Sequence, residues 1–395
     1  MMKGTAVKRV GIVGGGQLAW MLADAAKKLE IDLVVQTPQA SDPAAAIAVQ
    51  TILASVVDAT ATATLADHCD VITFENEFVD LELLGKLADR GVCFRPSLES
   101  LSPLLNKYDQ RCFLRDRGLP TPEFSRLCDR TQPLEFPCVL KTCRNGYDGN
   151  GTFIVKTQAE FEAVLEKVPM DALLWESFVP FTKELAVMVA RSISGEIVVY
   201  PVVETQQENA VCHSVRVPVA LPMGLEETIG AMGRAIVESL QVVGIVGIEF
   251  FQLADGRVLV NEIAPRTHNS GHYTLEACVT SQFEQQLRAI AGWPLASPDL
   301  TCGAAVMVNL LGFESRRYDY KAVRSRLAAI PNATVHWYGK EESRVGRKLG
   351  HVTVCLAAAD ALKMDAVIRE IEGIWYGGRL DSEFKHDFIT KGKLI

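Results

Sequence analysis

Short apolar runs alternate with helical stretches at the start of the chain. Four runs, at residues 7–13, 32–35, 54–57 and 71–74, have the length and composition of buried strands. The residues between them fit helices, and this β-α-β order predicts a parallel sheet that is covered by helices. Pro96 and Pro103 then interrupt the pattern, so we place the first domain boundary near residue 103.

The rest of the chain continues as a mixture of helices and strands. A helix is predicted at residues 106–114, and an amphipathic helix at 226–239. Strands are predicted at residues 136–141, 152–155, 173–179, 183–190, 195–201, 303–311, 334–337 and 351–357. Together with the opening sheet, this pattern predicts an α/β protein that is α+β overall.

A hairpin with two opposed acids is the most informative pattern in the chain. Apolar residues 245–253 and 257–260 flank Asp255-Gly256, a dipeptide that is typical of two-residue primed turns. Such a turn places residue 254 opposite 257 and, further out, Glu249 opposite Glu262. The face that carries both acids is expected to hold the apolar side chains of Phe251, Leu253, Val258 and Val260.

Two directly opposed glutamates repel each other, so their charge must be compensated. A shared proton is one possibility, and a hard divalent cation with oxygen ligands is the simpler one. Exposed glutamates on an edge ribbon are the plain structural alternative. The second strand runs on into a polar stretch with Asn261, Arg266, His268 and His272, and this concentration of ionisable groups predicts a functional site.

Length and composition are those of an ordinary globular protein. The 395 residues predict two or three domains. A net charge of −8 without any basic tract gives no reason to expect nucleic acid as a partner. The ten cysteines are scattered, which fits free thiols in a reducing cytosol. No apolar run approaches the ~20 residues that span a membrane, so we expect a cytoplasmic protein without membrane contact.

The first glycine turn matches a dinucleotide-binding fingerprint only in part. Gly14, Gly16 and Ala19 have the G-x-G-x-x-A spacing after a strand. The second strand ends in Gln36, where an acid would hold the ribose of NAD, so this cofactor is disfavoured. The turn fits a helix N-terminus that binds another phosphate, or a tight turn without a ligand. Glu75 follows the fourth strand, at the edge where open α/β sheets bind ligands.

Three further features are candidates for ligand contacts. Residues 146–151 form a three-glycine loop that can present N–H groups to phosphate, with Lys141 in the preceding strand as the cation. A plain hairpin with a snorkelling lysine is the alternative. Glu176 and Glu184 interrupt apolar strands and could bond a ribose or a base amine. Residues 346–351 form a compact basic turn, which is either an anion site or a solvated surface turn.

In order, the motifs are G-G-G-Q-L at 14–18, T-F-E-x-E at 73–77, G-Y-D-G-x-G at 146–151, N-E-I-A-P-R-x-H-N-S-G-H at 261–272 and G-R-K-x-G-H at 346–351. Together they resemble the ATP-grasp superfamily and, within it, the N5-carboxyaminoimidazole ribonucleotide synthetase family. The resemblance implies an ATP-grasp fold with a Rossmann-like N-terminal domain at 1–103. It also implies an ATP-grasp region at 104–293, with a lid at about 122–190, and a C-terminal part at 294–395.

The resemblance further implies a homodimeric ligase of purine biosynthesis. Such an enzyme uses ATP and Mg²⁺, or Mn²⁺ in its place, to carboxylate 5-aminoimidazole ribonucleotide with bicarbonate through carboxyphosphate. The implied metal ligands are Glu249 and Glu262. The implied catalytic residues are Arg266, His268, Lys348 and Tyr147. The implied substrate-binding residues are Gln17, Glu75, Asp148, Arg266, Asn269, Arg347 and Lys348.

ATP contacts are implied along both sides of the predicted lid. Lys107 and Lys141 would meet the phosphates, the loop at 146–152 would close over them, residues 176–179 would meet the adenine, and Glu184 the ribose. The implied ATP-binding residues are Lys107, Lys141, Gly146, Tyr147, Asp148, Gly149, Asn150, Gly151, Thr152, Glu176, Ser177, Phe178, Val179, Glu184, Gln207, Asn261 and Glu262. Asn261 points to the opposite face in a regular ladder, so a role near the metal requires the strand to bend.

Three positions depart from the family pattern. Position 150, often basic in the family, is Asn150, and a common histidine near ATP is replaced by Gln207. Ala19-Trp20 replaces a common G-R or A-R pair, which bears on the phosphate end of the ribonucleotide site.

Other functions are weighed against this one. An ATP-grasp ligase with another acceptor, such as formate-dependent glycinamide ribonucleotide transformylase, would keep the same nucleotide site. An NAD-dependent oxidoreductase would rest on the first glycine turn alone, and a non-catalytic nucleotide-binding subunit would not need the intact acids and lysines. His268 and His272 also have a spacing that could serve zinc, but no third ligand has suitable spacing.

Overall fold

The computed structural model describes residues 7–127, 129, 135–144, 146, 151–208 and 211–377. Within these ranges the strands form three sheets, one parallel and two antiparallel. The α/β class is therefore confirmed. In the same part of the chain, no helix is long and apolar enough to cross a membrane, and the nine described cysteines are free thiols.

The N-terminal sheet is parallel and has the strand order β3-β2-β1-β4. Its strands are β1 (Arg9–Val13), β2 (Asp32–Thr37), β3 (Gln50–Leu53) and β4 (Val71–Phe74). The accompanying helices are α1 (Gln17–Trp20), α2 (Ala23–Lys28), α3 (Ala59–Ala66), α4 (Leu81–Ala88) and α5 (Leu98–Leu101). The strand predicted at 54–57 is wrong, because those residues form the turn before α3, where Asp58 caps the helix by accepting from two backbone N–H groups.

A small antiparallel sheet follows, with the strand order β5-β8-β6-β7. Helix α6 (Lys107–Asp116) precedes it and begins at Asn106, whose side chain accepts from the N–H of Tyr108. The strands are β5 (Phe124–Arg126), β6 (Cys138–Thr142), β7 (Thr152–Val155) and β8 (Leu173–Ser177). Helix α7 (Gln158–Leu165) covers one face through its buried residues Phe161 and Leu165.

A large antiparallel sheet occupies the rest of the described chain. Its strands are β9 (Phe181–Arg191), β10 (Ile197–Val199), β11 (Val203–Glu208), β12 (Val211–Val217), β13 (Gly244–Leu253), β14 (Val258–Ala264), β15 (Ala304–Leu311), β16 (Ala333–Trp337) and β17 (Lys348–Leu356). The order is β14-β13-β9-β11-β12-β15-β17-β16, and β10 pairs with β9. Its helices are α8 (Leu225–Leu240), α9 (Thr274–Ala277), α10 (Gln282–Ala291), α11 (Lys321–Leu327) and α12 (Met364–Tyr376).

Helix α10 joins the large sheet to the N-terminal sheet. Its residues Phe283, Leu287 and Ile290 are fully buried in the same apolar cluster as Val10. Gln286 on the same helix accepts from the backbone N–H of Ile245 and donates to the hydroxyl of Thr73 at 2.9 Å. The carboxyl end of β4 is therefore held beside strand β13, and this contact brings the first domain to the predicted site.

The turn between β13 and β14 differs from the prediction. Gln252 pairs with Val258, so the loop has three residues, 254–256, rather than two. Gly256 closes it with a φ of 85°, the left-handed conformation that three-residue hairpin loops use. A bulge at Asn261 then shifts the register by one residue, so that Glu249 pairs with Glu262. The predicted pairing of the acids is confirmed, because the extra residue in the loop and the extra residue at the bulge shift the register by one residue each, in opposite directions.

The bulge also changes which apolar residues share a face with the acids. Val258 and Val260 lie in the buried cluster that contains Phe250, on the other side of the sheet, so placing them beside the acids was wrong. Phe251 does lie on the acids' side, where its ring stacks on Phe181 with 4.6 Å between the ring centroids.

Candidate active site

A cleft of about 1000 Å³ lies between the three sheets and collects most of the predicted residues. Its lining includes Gln17, Glu75, Lys107, Lys141, Gly146, Thr152, Glu176, Ser177, Phe178, Val179, Glu184, Gln207, Glu249, Asn261, Glu262, Arg266, His268, Asn269 and Lys348. Gly151 and Arg347 are described but do not line it. Tyr147, Asp148, Gly149 and Asn150 lie outside the described residues.

Three carboxylates on neighbouring strands crowd one end of the cleft. Burial, together with the charge of Glu262, raises the pKa of Glu249 to about 7. Burial and the charge of Glu249 raise the pKa of Glu184 to about 8, although the N–H of Gln207 bonds its carboxylate. Burial acts against the charge of Glu262 as well, but Lys107 and Lys141 hold the pKa of this acid down at about 2. This concentration of acids fits a divalent cation, which Glu249 and Glu262 could ligate.

Lys107 reaches this acid pair from the start of helix α6. Its Nζ lies 2.9 Å from Glu262 Oε2. Further along the same helix, the side chain of Gln110 bonds both the N–H and the carbonyl of Ile263 at 2.9 and 3.0 Å. The guanidinium of Arg111 donates to the carbonyl of Asn261 at 2.7 Å. Because β14 is the edge strand of its sheet, α6 supplies the partners that a neighbouring strand would otherwise provide.

Lys141 belongs to a buried group of three charged side chains. Glu176 Oε2 lies 2.9 Å from Lys141 Nζ, and Glu176 Oε1 lies 2.7 Å from Arg111 Nε. Burial lowers the pKa of Lys141, since removal from water disfavours its charge more than Glu176 favours it. Burial disfavours the charge of Glu176 too, but Lys141 and Arg111 bring its pKa to about 2. The Glu176 carboxylate is therefore bonded to these two cations, and a contact of Glu176 with a ribose or a base stays a prediction.

The bulge brings Asn261 to the same side as the acids. Lys141 Nζ donates to Asn261 Oδ1 at 3.1 Å, and Asn261 Nδ2 donates to Glu249 Oε2 at 3.5 Å. A regular ladder would have turned Asn261 away from them. The bend that the sequence required for this residue is thus present, and it connects the lysine to the acid pair.

Arg266 and His268 stand beside the acids at the end of β14. Arg266 Nε lies 3.0 Å from Glu77 Oε1, and this carboxylate keeps the pKa of the half-buried guanidinium raised, although burial acts to lower it. His268 Nε2 lies 3.8 Å from Glu249 Oε1. Buried Gln282 holds the backbone of His268 on both sides, accepting from its N–H at 2.9 Å and donating to its carbonyl at 2.7 Å. A cation and an imidazole are therefore fixed next to the candidate metal ligands.

Glu75 occupies the N–H groups of the first glycine turn. Its carboxylate accepts from Gly16 N at 2.7 Å and from Leu18 N at 3.2 Å, and burial raises its pKa. A Cβ on Gly16 would lie 2.3 Å from Glu75 Oε1, so only glycine leaves room for this contact. The turn holds a carboxylate of the protein itself, and phosphate binding at this helix N-terminus stays a prediction. Gln36 is fully buried and bonds the carbonyl of Ser55, which removes the last support for NAD.

The predicted basic turn at 346–351 is only partly a turn. Lys348 is buried at the start of β17 and lines the cleft, whereas the Arg347 guanidinium donates to the carbonyl of Glu342. His351 is fully buried beside the Tyr338 hydroxyl, and burial lowers its pKa. Describing these residues as one compact basic cluster was therefore wrong, because strand β17 begins inside it.

Sequence reasoning missed Arg111, Gln110, Gln282 and Lys340. The Nζ of Lys340 donates to Gln17 Oε1 at 2.8 Å and to the Lys348 carbonyl at 2.9 Å, so it joins the first and last parts of the cleft. For Arg111 and Gln110 a signal existed, since they lie one turn after Lys107 on the same helical face. Gln282 and Lys340 act across long sequence separations, and no local pattern marks them.

The histidines do not form a zinc site with His268. His272 turns away from His268 to bond Gln282, and its imidazole is fully buried. Among the described residues, the one His/Cys/Asp/Glu group with ligand atoms close together is Glu276, His336 and His351. The rings of His336 and His351 stack at an angle of 17°. Their in-plane lone pairs therefore lie in two nearly parallel planes and do not meet at a single ion.

Comparison with known families covers most of the chain. A model described as the ribonucleotide synthetase preATP-grasp domain matches residues 7–102, and the ATP-grasp domain matches 112–283. A model described as the phosphoribosylaminoimidazole carboxylase C-terminal domain matches residues 305–365.

Two bacterial relatives match over nearly their whole length. The N5-carboxyaminoimidazole ribonucleotide synthase of Synechococcus elongatus is 53% identical over 379 residues, which cover 93% of this chain and 96% of the relative. The synthase of Bacillus subtilis is 36% identical over 93% of this chain and 95% of the relative.

Solved structures of this class have the same fold. The carboxyaminoimidazole ribonucleotide synthase of Aspergillus clavatus complexed with ATP has a TM-score of 0.85 at 32% identity, covering 92% of this chain and 99% of that one. Its complex with ADP and 5-aminoimidazole ribonucleotide has a TM-score of 0.84 at 32% identity, covering 92% and 98%.

Proposed function

Because the chain belongs to the N5-carboxyaminoimidazole ribonucleotide synthase family of ATP-grasp ligases, we propose that it carboxylates the exocyclic amine of 5-aminoimidazole ribonucleotide with ATP and bicarbonate. The main support for this proposal is that two groups of residues with different functions line the same cleft. An acid pair with two lysines, fit for a metal-bound nucleotide, adjoins Arg266 and His268, fit for a small anion.

The nucleotide end of the site is built from α6, β6 and β14. Lys107 and Lys141 would contact the ATP phosphates, and Glu249 and Glu262, with Asn261 beside them, would hold Mg²⁺. Bound Mg²⁺ supplies charge neutralisation on the phosphate oxygens during transfer. The stacked rings of Phe181 and Phe251 line the same cleft and offer apolar surface to an adenine. The loop at 146–152 would close over the phosphates, as the resemblance implies.

The reaction divides into two transfers. A bicarbonate oxygen bonds to the γ-phosphorus, the bond from that phosphorus to the bridging oxygen breaks, and ADP leaves. In the resulting carboxyphosphate, the bond between the carboxyl carbon and the phosphate oxygen breaks and phosphate leaves. The amine nitrogen of the ribonucleotide forms the new C–N bond to that carbon, either directly or after its release as CO₂. The amine must lose a proton in this step, and His268 is placed to accept it.

Arg266 is the group placed to stabilise the anionic intermediate. Its guanidinium is half-buried and fixed by Glu77, so it presents positive charge without having to reorganise. Water must be kept away because carboxyphosphate hydrolyses readily, and closure of the lid at about 122–190 would do this. The ribonucleotide itself would lie between Gln17, Glu75, Asn269 and Lys348, with Asp148, Tyr147 and Arg347 as further predicted contacts.

The domain division and the assembly follow from the same resemblance, and the location from the composition of the chain. We divide the chain into an N-terminal domain at 1–103, an ATP-grasp region at 104–293 and a C-terminal part at 294–395. The protein would act as a homodimer in the cytoplasm, with no nucleic acid or membrane partner. Sedimentation equilibrium tests the assembly, for which a monomer at micromolar concentration is the contrary result.

Phosphate release from ATP tests the function. We expect release to depend on bicarbonate and to increase when 5-aminoimidazole ribonucleotide is added. Formate with glycinamide ribonucleotide serves as the control acceptor pair, and it should give no increase. Stimulation by the control pair, or indifference to aminoimidazole ribonucleotide, would contradict the assignment.

A further inference from the structure

The Glu176 carboxylate is shared by two cations in a dry part of the cleft wall. The side chains of Glu176 and Arg111 are each 3% exposed and that of Lys141 is 9% exposed. One carboxylate oxygen meets the Arg111 guanidinium at 2.7 Å, and the other meets the Lys141 ammonium at 2.9 Å. A second bond, from Arg111 to the carbonyl of Asn261 at 2.7 Å, ties the guanidinium to the bulge of β14.

In this arrangement two anions, the Glu176 carboxylate and a phosphate of ATP, compete for the Lys141 ammonium. A phosphate of ATP must attract its ammonium into the cleft, away from the Glu176 carboxylate. Leaving a carboxylate buried without a partner is costly, and far more so than at the surface. With Lys141 as its only cation, Glu176 would therefore compete with the nucleotide for the ammonium.

We propose that Arg111 is a positioning residue for ATP, which keeps Glu176 compensated when the Lys141 ammonium moves to a phosphate of the nucleotide. This inference rests on the proposed role of Lys141 in ATP binding. Arg111 suits the task because its guanidinium stays charged and bonds two acceptors with fixed geometry. It lines neither the phosphate position nor the base position, since it is buried behind Glu176 and Asn261.

A compensating role and a purely structural role of Arg111 predict different results when the charges of Arg111 and Glu176 are removed. If Arg111 only holds α6 against β14, its loss weakens the binding of every ligand and lowers the stability of the fold at the same time. If Arg111 compensates Glu176, its loss weakens the binding of those ligands that need Lys141. Removing the charge of Glu176 as well then restores their binding. Neutralising both members of a buried ion pair is also far better tolerated than removing one.

Calorimetric titration with Mg²⁺ and ATP, and separately with adenosine, makes the test. The variants are Arg111→Met, Arg111→Lys, Glu176→Gln and the double variant Arg111→Met with Glu176→Gln. Arg115→Met is the matched control, because Arg115 is on the same helix and its side chain is 58% exposed. Thermal melting of each variant reports the fold.

We expect Arg111→Met to raise the dissociation constant of ATP by about tenfold or more, and that of adenosine by no more than about twofold. Arg111→Lys, which keeps a charge near Glu176, should lie between wild type and Arg111→Met. The double variant should recover most of the lost ATP affinity, and Arg115→Met should bind as wild type does.

Three results overturn the proposal. They are unchanged ATP affinity in Arg111→Met, an equal loss for ATP and adenosine, or a double variant that binds ATP no better than Arg111→Met. If Arg111→Met does not fold, Arg111→Gln replaces it. If neither folds, the double variant decides, since wild-type-like ATP affinity supports the proposal and a tenfold loss contradicts it. A failure of the proposed function is seen separately, because wild type itself would then not bind ATP.

Discussion

Glu249 and Glu262 face each other across two strands, but their surroundings give them different charges. Lys107 and Lys141 keep Glu262 ionised, with a pKa of about 2. Burial and the charge of Glu262 raise the pKa of Glu249 to about 7, although Lys107, Lys348 and Lys141 act to lower it. At neutral pH Glu262 is charged and Glu249 is partly protonated, so the pair attracts a divalent cation and releases protons when the cation binds.

Replacing Glu262 by glutamine removes the acid that stays charged. We expect Glu262→Gln to lower ATP turnover by about a hundredfold or more, because it removes both a metal ligand and the partner of Lys107. Phosphate release at ordinary Mg²⁺ is the measurement, and Glu227→Gln on the exposed face of α8 is the control. Near wild-type release from Glu262→Gln would contradict the metal assignment.

Glu184 gives the ligand-free protein a distinctive pH dependence. Its pKa is raised from 4.5 to about 8 in the folded state, so the folded form holds a proton that the unfolded form has lost. Stability therefore falls as pH rises from about 4.5, and the loss is complete above about pH 8. Glutamine mimics the protonated form. The melting temperature of Glu184→Gln should exceed that of wild type by a margin that grows from pH 5 to pH 8, and a constant margin would contradict it.

At the residue scale, sequence predicts the acids better than their partners. Glu249 and Glu262 could be paired because a hairpin register is a local property. Arg111 and Gln282 could not be found in this way, since their partners are 65 and 14 residues away and lie on other elements. Glu75 was placed in the correct pocket, but its bonds to the glycine turn depend on how β4 meets α1.

At the scale of elements, helix α6 fixes the edge of the large sheet. Gln110 satisfies both backbone groups of Ile263, and Lys107 and Arg111 bond the two residues before it. These contacts hold the bulged end of β14, where the metal ligands lie. The helix was predicted from periodicity, but its contact with β14 was not, because helix periodicity shows a buried face without showing its partner.

Gln110→Leu tests this contact. We expect a loss of about 2 kcal/mol in the free energy of unfolding, because two backbone groups on an edge strand lose their buried partner. ATP turnover should fall as well, since Glu262 adjoins the released segment. Urea denaturation measures the first effect, and Asp116→Leu at the exposed end of α6 is the control. A Gln110→Leu protein as stable as the control would show that α6 does not hold the strand.

The hairpin shows why element boundaries are harder to predict than element pairs. Asp255-Gly256 predicted a two-residue turn, but the loop includes residue 254 and places Gly256 in the left-handed conformation. The bulge at Asn261 corrects the offset. Bulges depend on what lies beside the strand, and here the neighbours are α6 and Lys141, which are far away in sequence.

At the scale of the whole molecule, the active site exists only where the sheets meet. Arg266 on the large sheet is held by Glu77 from the N-terminal domain, and Lys340 links Gln17 to the last strand of the site. The α/β class and the family could be predicted from the order of motifs. The packing that brings these motifs together, through α10 and the Gln286–Thr73 bond, could not.

Glu77→Gln tests whether the first domain positions Arg266. We expect turnover with 5-aminoimidazole ribonucleotide to fall about tenfold, while the dissociation constant of ATP changes by less than about twofold, since Glu77 orients the carboxylation end alone. Steady-state kinetics and ATP titration separate the two effects, with exposed Asp89→Asn as the control. An equal loss of turnover and of ATP affinity in Glu77→Gln would contradict the view that Glu77 acts on the carboxylation end alone.

In the proposed reaction, bicarbonate attacks the γ-phosphate inside this cleft. Bicarbonate labelled with ¹⁸O, supplied with ATP and 5-aminoimidazole ribonucleotide and sampled before the label exchanges with water, tests it most directly. If carboxyphosphate forms, the released phosphate carries one ¹⁸O atom from bicarbonate. If the new oxygen of the phosphate comes only from water, the protein simply hydrolyses ATP. This result would contradict the formation of carboxyphosphate.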